Sequence, residues 1–195
     1  MTFKRMTIAL LVLIIGFPTA ALAIYKPTRV LVPQFFGVKC LSQEICIDDP
    51  SKLEQAKALR DEAFKFVTEN VGEIESPPRV IFCSTRECAD SFGQFHAAAY
   101  NVATVGIVIR TKGWEKHFVR HELIHHLQNE RLGSINAFLN KPTWFTEGMA
   151  YSLSKDPRRP IPNELLESYR SEFESWHDGS NIWARAAMLT AASRP

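Results

Sequence analysis

The order of apolar and polar positions divides the chain into short runs of period two and longer runs of helical period. Residues 29–32 (Arg-Val-Leu-Val) predict a first strand, and residues 79–83, introduced by Pro77-Pro78, a second. Between them Leu53, Ala56, Leu59, Ala63, Phe66 and Val67 keep the period of an amphipathic helix, from a start signal at Asp48-Asp49-Pro50 to a stop at Gly72. Ser84 with Glu87 three residues later matches a capping box, so 85–92 is expected to be a short helix. Residues 97–100 and 102–110, the latter rich in Val, Ile and Thr, predict a strand pair. Beyond Ser154, Pro157, Pro160 and Pro162 mark a loop before an amphipathic segment at 164–176 and a last, mostly apolar helix at 182–192.

The segment from about 114 to 131 differs from these. Trp114, Phe118, Val119, Leu123, Ile124 and Leu127 make it apolar over most of a helix's circumference, which predicts burial, yet it carries His121-Glu122-Leu-Ile-His125-His126. Buried imidazoles and carboxylates need partners. On a helix, residues four apart lie one above the other, about 5–6 Å between Cβ atoms, so His121 and His125 can share one metal ion. Glu122 is rotated about 100° from His121, away from the same coordination shell but within reach of a water on the metal. Such a site needs a third protein ligand. Downstream, Trp144-Phe145-Thr146-Glu147-Gly148-Met149-Ala150-Tyr151 holds a lone glutamate in an aromatic and small-residue setting that predicts a second buried helix.

Taken together, His121-Glu122-Leu-Ile-His125 and Trp144-Phe-Thr-Glu147-Gly-Met-Ala resemble the gluzincin zinc metallopeptidases, specifically their compact "peptidase MA-like" members, whose W-F-x-E-G-x-A helix donates a glutamate ligand. The resemblance covers about residues 102–155 and the element order of the rest. It implies an α+β, zincin-like fold: a small mixed sheet of about four strands packed on the metal helix, a glutamate-bearing helix and C-terminal helices. It also implies one zinc ion per chain on His121, His125 and Glu147, with Glu122 as general base. By the same resemblance, 105–109 would be the edge strand that binds an extended peptide, the alternative being a strand paired internally. Tyr151 stands where some gluzincins have an Asp that orients a ligand histidine, which leaves that role unassigned. Candidates to stabilise an oxyanion are Tyr100, Tyr151, Tyr169 and His177. His117, one turn before His121, is expected to line the cleft or support a ligand from behind, or else to be a core histidine, because a catalytic zinc keeps a position for water. His126 is expected to pack rather than ligate.

Composition narrows the setting. At 195 residues, with 46% hydrophobic and 23% charged residues, the chain has enough apolar content for a single core, assigned to 24–195. Residues 1–23 are excluded from it: Lys4 and Arg5 precede an apolar run from Met6 to Phe17, and Ala21-Leu22-Ala23 fits small-x-small processing. They predict a signal peptide or, if residues 6–25 are retained, an N-terminal membrane anchor. Setting Lys4 and Arg5 aside brings the formal charge from +2 to zero, and no basic patch argues for nucleic acid. The cluster Lys155, Arg158, Arg159 is broken by prolines and predicts a solvated loop. Four cysteines in an exported chain predict disulfides, paired locally as Cys40-Cys46 and Cys83-Cys88. The expected function is thus an exported, periplasmic or extracellular, zinc-dependent hydrolase, a peptidase acting on peptide or protein substrates. The alternative is a catalytically silent, zinc-stabilised module that binds a peptide or envelope partner, an option favoured by the small size and the missing Asp but not by Glu122.

Overall fold

A computed structural model describes residues 17–93 and 96–194. The leader or anchor expected at 1–23 lies largely outside the described residues, and its last part, Phe17–Ile24, forms helix α1. Among the described residues no helix is long and apolar enough to cross a membrane.

The architecture is α+β around a mixed sheet of five strands rather than about four: β1 (Lys39–Cys40), β2 (Ile45–Ile47), β3 (Arg79–Phe82), β4 (Ala99–Val102) and β5 (Gly106–Ile109). Their order is β1-β2-β3-β5-β4, with β2, β3 and β5 parallel and the outer strands antiparallel to their neighbours. The helices are α2 (Leu53–Asn70), α3 (Arg86–Phe92), α4 (Lys116–Leu132), α5 (Ser134–Leu139), α6 (Thr143–Leu153), α7 (Glu164–Trp176) and α8 (Ile182–Met188).

Two departures from the expected strands have local causes. Residues 29–32 do not form a strand; Lys26–Leu31 is a 3-10 helix with proline in its first turn, and Pro33 follows at once, removing a ladder donor. The missing strand is replaced by the β1-β2 ribbon, too short to show a period. Its directly opposed residues, Cys40 and Cys46, are disulfide-bonded. The second departure concerns 105–109. β5 is not an edge: β3 pairs with one side of it from Arg79↔Gly106 to Phe82↔Ile109, and β4 folds back on the other through a turn at 103–105. The edge beside α4 is therefore β4.

Strand alternation supplies two cores. Ile45, Ile47, Val80, Phe82, Ile107 and Ile109 face α2, α4, α6 and α7 in the main core, which includes Val67, Leu123, Leu127, Phe145 and Phe173. Cys46, Ile81, Cys83 and Val108 face the other way, against Val30, Cys88, Ala89 and Phe92. The Cys83-Cys88 disulfide ties β3's end to α3 on that second side. The α3 cap lies one residue later than the capping box placed it: Thr85 accepts from the Cys88 amide, while Asp48 accepts from the amides of Ser84 and Thr85. On the main side, Arg120 of α4 pairs with Glu62 of α2 and donates to the carbonyl of Ser154 just after α6, fixing three elements around the site.

Candidate metal centre

Buried apolar positions of α4 (Val119, Leu123, Ile124, Leu127) press it into the main core and turn the His121-His125 stripe toward α6. Helix α6 comes close because of its glycine. A Cβ on Gly148 would lie 2.1 Å from the carbonyl oxygen of Tyr169 on α7, so α6 and α7 meet backbone to backbone, and the neighbouring Glu147 is carried inward to α4.

There three donor atoms converge. His125 Nε2 lies 3.0 Å from His121 Nε2 and 3.5 Å from Glu147 Oε1, and His121 Nε2 lies 3.7 Å from Glu147 Oε2. All three ligand atoms fall within 4.8 Å of one another, so they could hold a metal ion. Ligand atoms about 2.0–2.1 Å from a tetrahedral zinc are roughly 3.3 Å apart, close to what the cluster already presents. Its electrostatics agree. Burial disfavours a charged His125, yet the Glu147 carboxylate holds its pKa above the ordinary histidine value. Burial likewise disfavours the Glu147 anion, but His125 and then His121 keep it well below the usual carboxylate range. His121 is pushed the other way, to about 3, by burial and by His125. The cluster thus sets a cationic His125 against the Glu147 anion and keeps His121 neutral.

Beside it Glu122 is 5% exposed, and its Oε2 has no hydrogen-bond partner among the described residues. Burial, reinforced by Glu147, raises its pKa to about 7 against the lowering pull of His125 and the Asn101 amide. Both Glu122 and the three candidate ligands line one cavity of about 860 Å³, which is also lined by Ala97 and Ala98 and by Ala99 to Asn101 of the β4 edge. Asn129 Nδ2 donates to Asn101 Oδ1 at 3.0 Å, fastening that edge to α4.

The other expected residues separate. Tyr151 lines the cavity with its ring centroid 4.5 Å from that of His121. Tyr100 also borders the cavity, but it packs toward the second core and its hydroxyl donates to the Phe92 carbonyl at 2.8 Å, so it is not available to an oxyanion. Tyr169 packs in the main core and does not line the cavity. His177 stacks on Phe173 and borders a different, smaller cavity with Asn181 and Trp183. His117 is buried outside the cavity lining, with Nδ1 3.5 Å from Glu115, and burial lowers its pKa. His126, fully buried, meets the Ser76 carbonyl and Glu130, a packing role as expected. Two participants were not singled out from sequence. Gln128 contacts His125 Nδ1 at 2.9 Å, a helical i,i+3 spacing that could have revealed it. Arg158, placed in a solvated loop, instead lines the cavity, whereas Arg159 does pair outside it with Glu174.

Comparison of the chain with protein-family models, curated proteins and solved structures finds no significant match.

Proposed function

We propose that this protein is a zinc-dependent hydrolase of the gluzincin type, with a zincin-like fold, that cleaves peptide bonds outside the cytoplasm. One observation carries the reading. Glu122 is a buried carboxylate whose Oε2 has no partner among the described residues, in a cleft it shares with three converging donor atoms. A buried unpaired acceptor is costly, and a purely structural metal site has no use for it.

His121, His125 and Glu147 would hold the ion, two neutral imidazoles and one carboxylate leaving a fourth position open. Zinc bound there would bring the pKa of a water near 7 and polarise the scissile carbonyl. Glu122 accepts the proton of the attacking water and delivers it to the departing amine. Gln128 holds His125 in the tautomer whose Nε2 faces the ion. Tyr151 is the phenol left to donate to the developing oxyanion. An extended substrate pairs with the outer side of β4 rather than with β5, since β4 forms the cavity wall. The two disulfides, Cys40-Cys46 and Cys83-Cys88, suit the oxidising compartment this role requires.

The test is metal content together with turnover. Purified protein should carry one zinc per chain and hydrolyse members of a mixed peptide library, and His121→Ala, His125→Ala and Glu147→Ala should each lose most of the metal. Tight zinc binding by the Glu147 variant would refute the ligand set.

A further inference from the structure

One guanidinium among the described residues lining the cleft is only partly used by its ion pair. Among the described residues lining it, the carboxylates are Glu122 and Glu147, both at the metal cluster. Of the lining cations, the buried Lys141 ammonium is committed to the carbonyls of Ala187 and Leu189, and Lys112 donates to the carbonyl of His96. Arg158 is different. Asp156, itself buried, accepts from its Nε at 2.9 and 3.1 Å, from its Nη2, and from its backbone amide at 2.9 Å. The guanidinium also lies 4.8 Å over the ring of Phe118, another lining residue. One edge of the fork is thereby fixed. Nη1 makes no hydrogen bond among the described residues, and the side chain remains 35% exposed.

We infer that Arg158 is a specificity residue: resting on the hydrolase reading above, it receives a substrate carboxylate adjacent to the scissile bond. A guanidinium clamped on one edge offers its other N–H groups in a fixed plane, the arrangement that binds a carboxylate with two hydrogen bonds and little loss of side-chain freedom. It lines the same cavity as Tyr151 and His121. The carboxylate can be a chain terminus or an Asp or Glu side chain. The first makes the enzyme a carboxypeptidase-like trimmer and the second an endopeptidase at acidic sites.

Binding of zinc-directed probes separates this assignment from hydrolysis. Two short peptidyl hydroxamates, one ending in a free carboxylate and one bearing a Glu side chain, are titrated into the zinc-loaded protein, each against its own primary-amide counterpart. In at least one pair the carboxylate form should bind about tenfold or more tightly, as a charge-assisted hydrogen bond predicts, and the favoured pair identifies the source. Arg158→Gln should erase the advantage, and Arg158→Lys, which keeps the charge but not the fork, should retain part of it. Equal affinities in both pairs for the parent protein, a comparison that needs no variant, would overturn the assignment. So would an advantage that survives Arg158→Gln in protein with full zinc content. Hydrolysis of uncharged peptides by the same samples reports separately on the proposed reaction, which stands or falls without Arg158.

Discussion

Gln128 Oε1 lies 2.9 Å from Nδ1 of His125, while its Nε2 donates to the carbonyl of Thr146 at 3.0 Å. The second bond fixes which way the amide points, so Oε1 faces the imidazole and accepts Nδ1–H, leaving Nε2 toward the ligand cluster. One side chain therefore sets the tautomer of His125, a candidate ligand, and ties α4 to the residue before Glu147.

Gln128→Ala should weaken zinc binding about 10- to 100-fold, the usual effect of removing a partner behind a ligand histidine. Competition with a chromogenic chelator measures it. Gln128→Glu, which keeps the acceptor but loses the donor to Thr146, should recover part of the affinity. An unchanged affinity in Gln128→Ala would mean that His125 is oriented by packing alone.

Gly148→Ala should destabilise the fold by about 1–3 kcal/mol through overpacking, because its Cβ would meet the Tyr169 carbonyl at 2.1 Å and Phe173 Cβ at 2.7 Å. Since the shift would move α6 against α7, zinc affinity should fall with stability. Chemical denaturation with and without metal checks both, and full stability in the variant would contradict the close approach.

Much of this arrangement was legible in the sequence because the relevant elements are long and locally determined. The His121-His125 stripe, the Glu147 helix and α7 at Glu164–Trp176 all announce themselves by helical period, and the two disulfides join near neighbours in the chain. What was missed depends on tertiary pairing. A three-residue strand such as Ile45–Ile47 has no period to detect, and whether β5 is an edge depends on which way β4 folds back. Arg158 looked like a loop charge because Asp156, two residues before it, pulls it inward only once Phe118 supplies a surface to lie on.

Each disulfide closes a short loop, with sequence separations of 6 and 5. Loop-closure entropy assigns each about 2 kcal/mol. Peptide mapping without reduction should recover Cys40 joined to Cys46 and Cys83 joined to Cys88, and reduction should lower the melting temperature. Crossed pairs would contradict the β1-β2 ribbon.

Asp156 supplies a pH dependence. Burial would raise its pKa, but the hydrogen bonds from Arg158 outweigh that and hold it below the ordinary 3.8. A depressed carboxylate contributes stability that is fully present above 3.8 and is lost as pH falls through the folded-state value. Thermal unfolding of Asp156→Asn should therefore differ most from the parent near neutral pH, and the difference should shrink in acid below about 3.8. A gap that widened on acidification would contradict the ion pair.

The central claim is that Glu122 acts as a base at a metal site and does not merely occupy space. Its buried Oε2 has no hydrogen-bond partner among the described residues, and the residue lines the cleft with His121, His125 and Glu147. The most direct measurement is turnover and zinc content of Glu122→Gln alongside the parent on the same peptide substrate. Zinc should remain at one per chain and substrate should still bind, while turnover falls by roughly 10²- to 10⁴-fold, the range expected when general base catalysis is removed. Undiminished turnover in Glu122→Gln, or a zinc-loaded parent that hydrolyses no peptide, would contradict it.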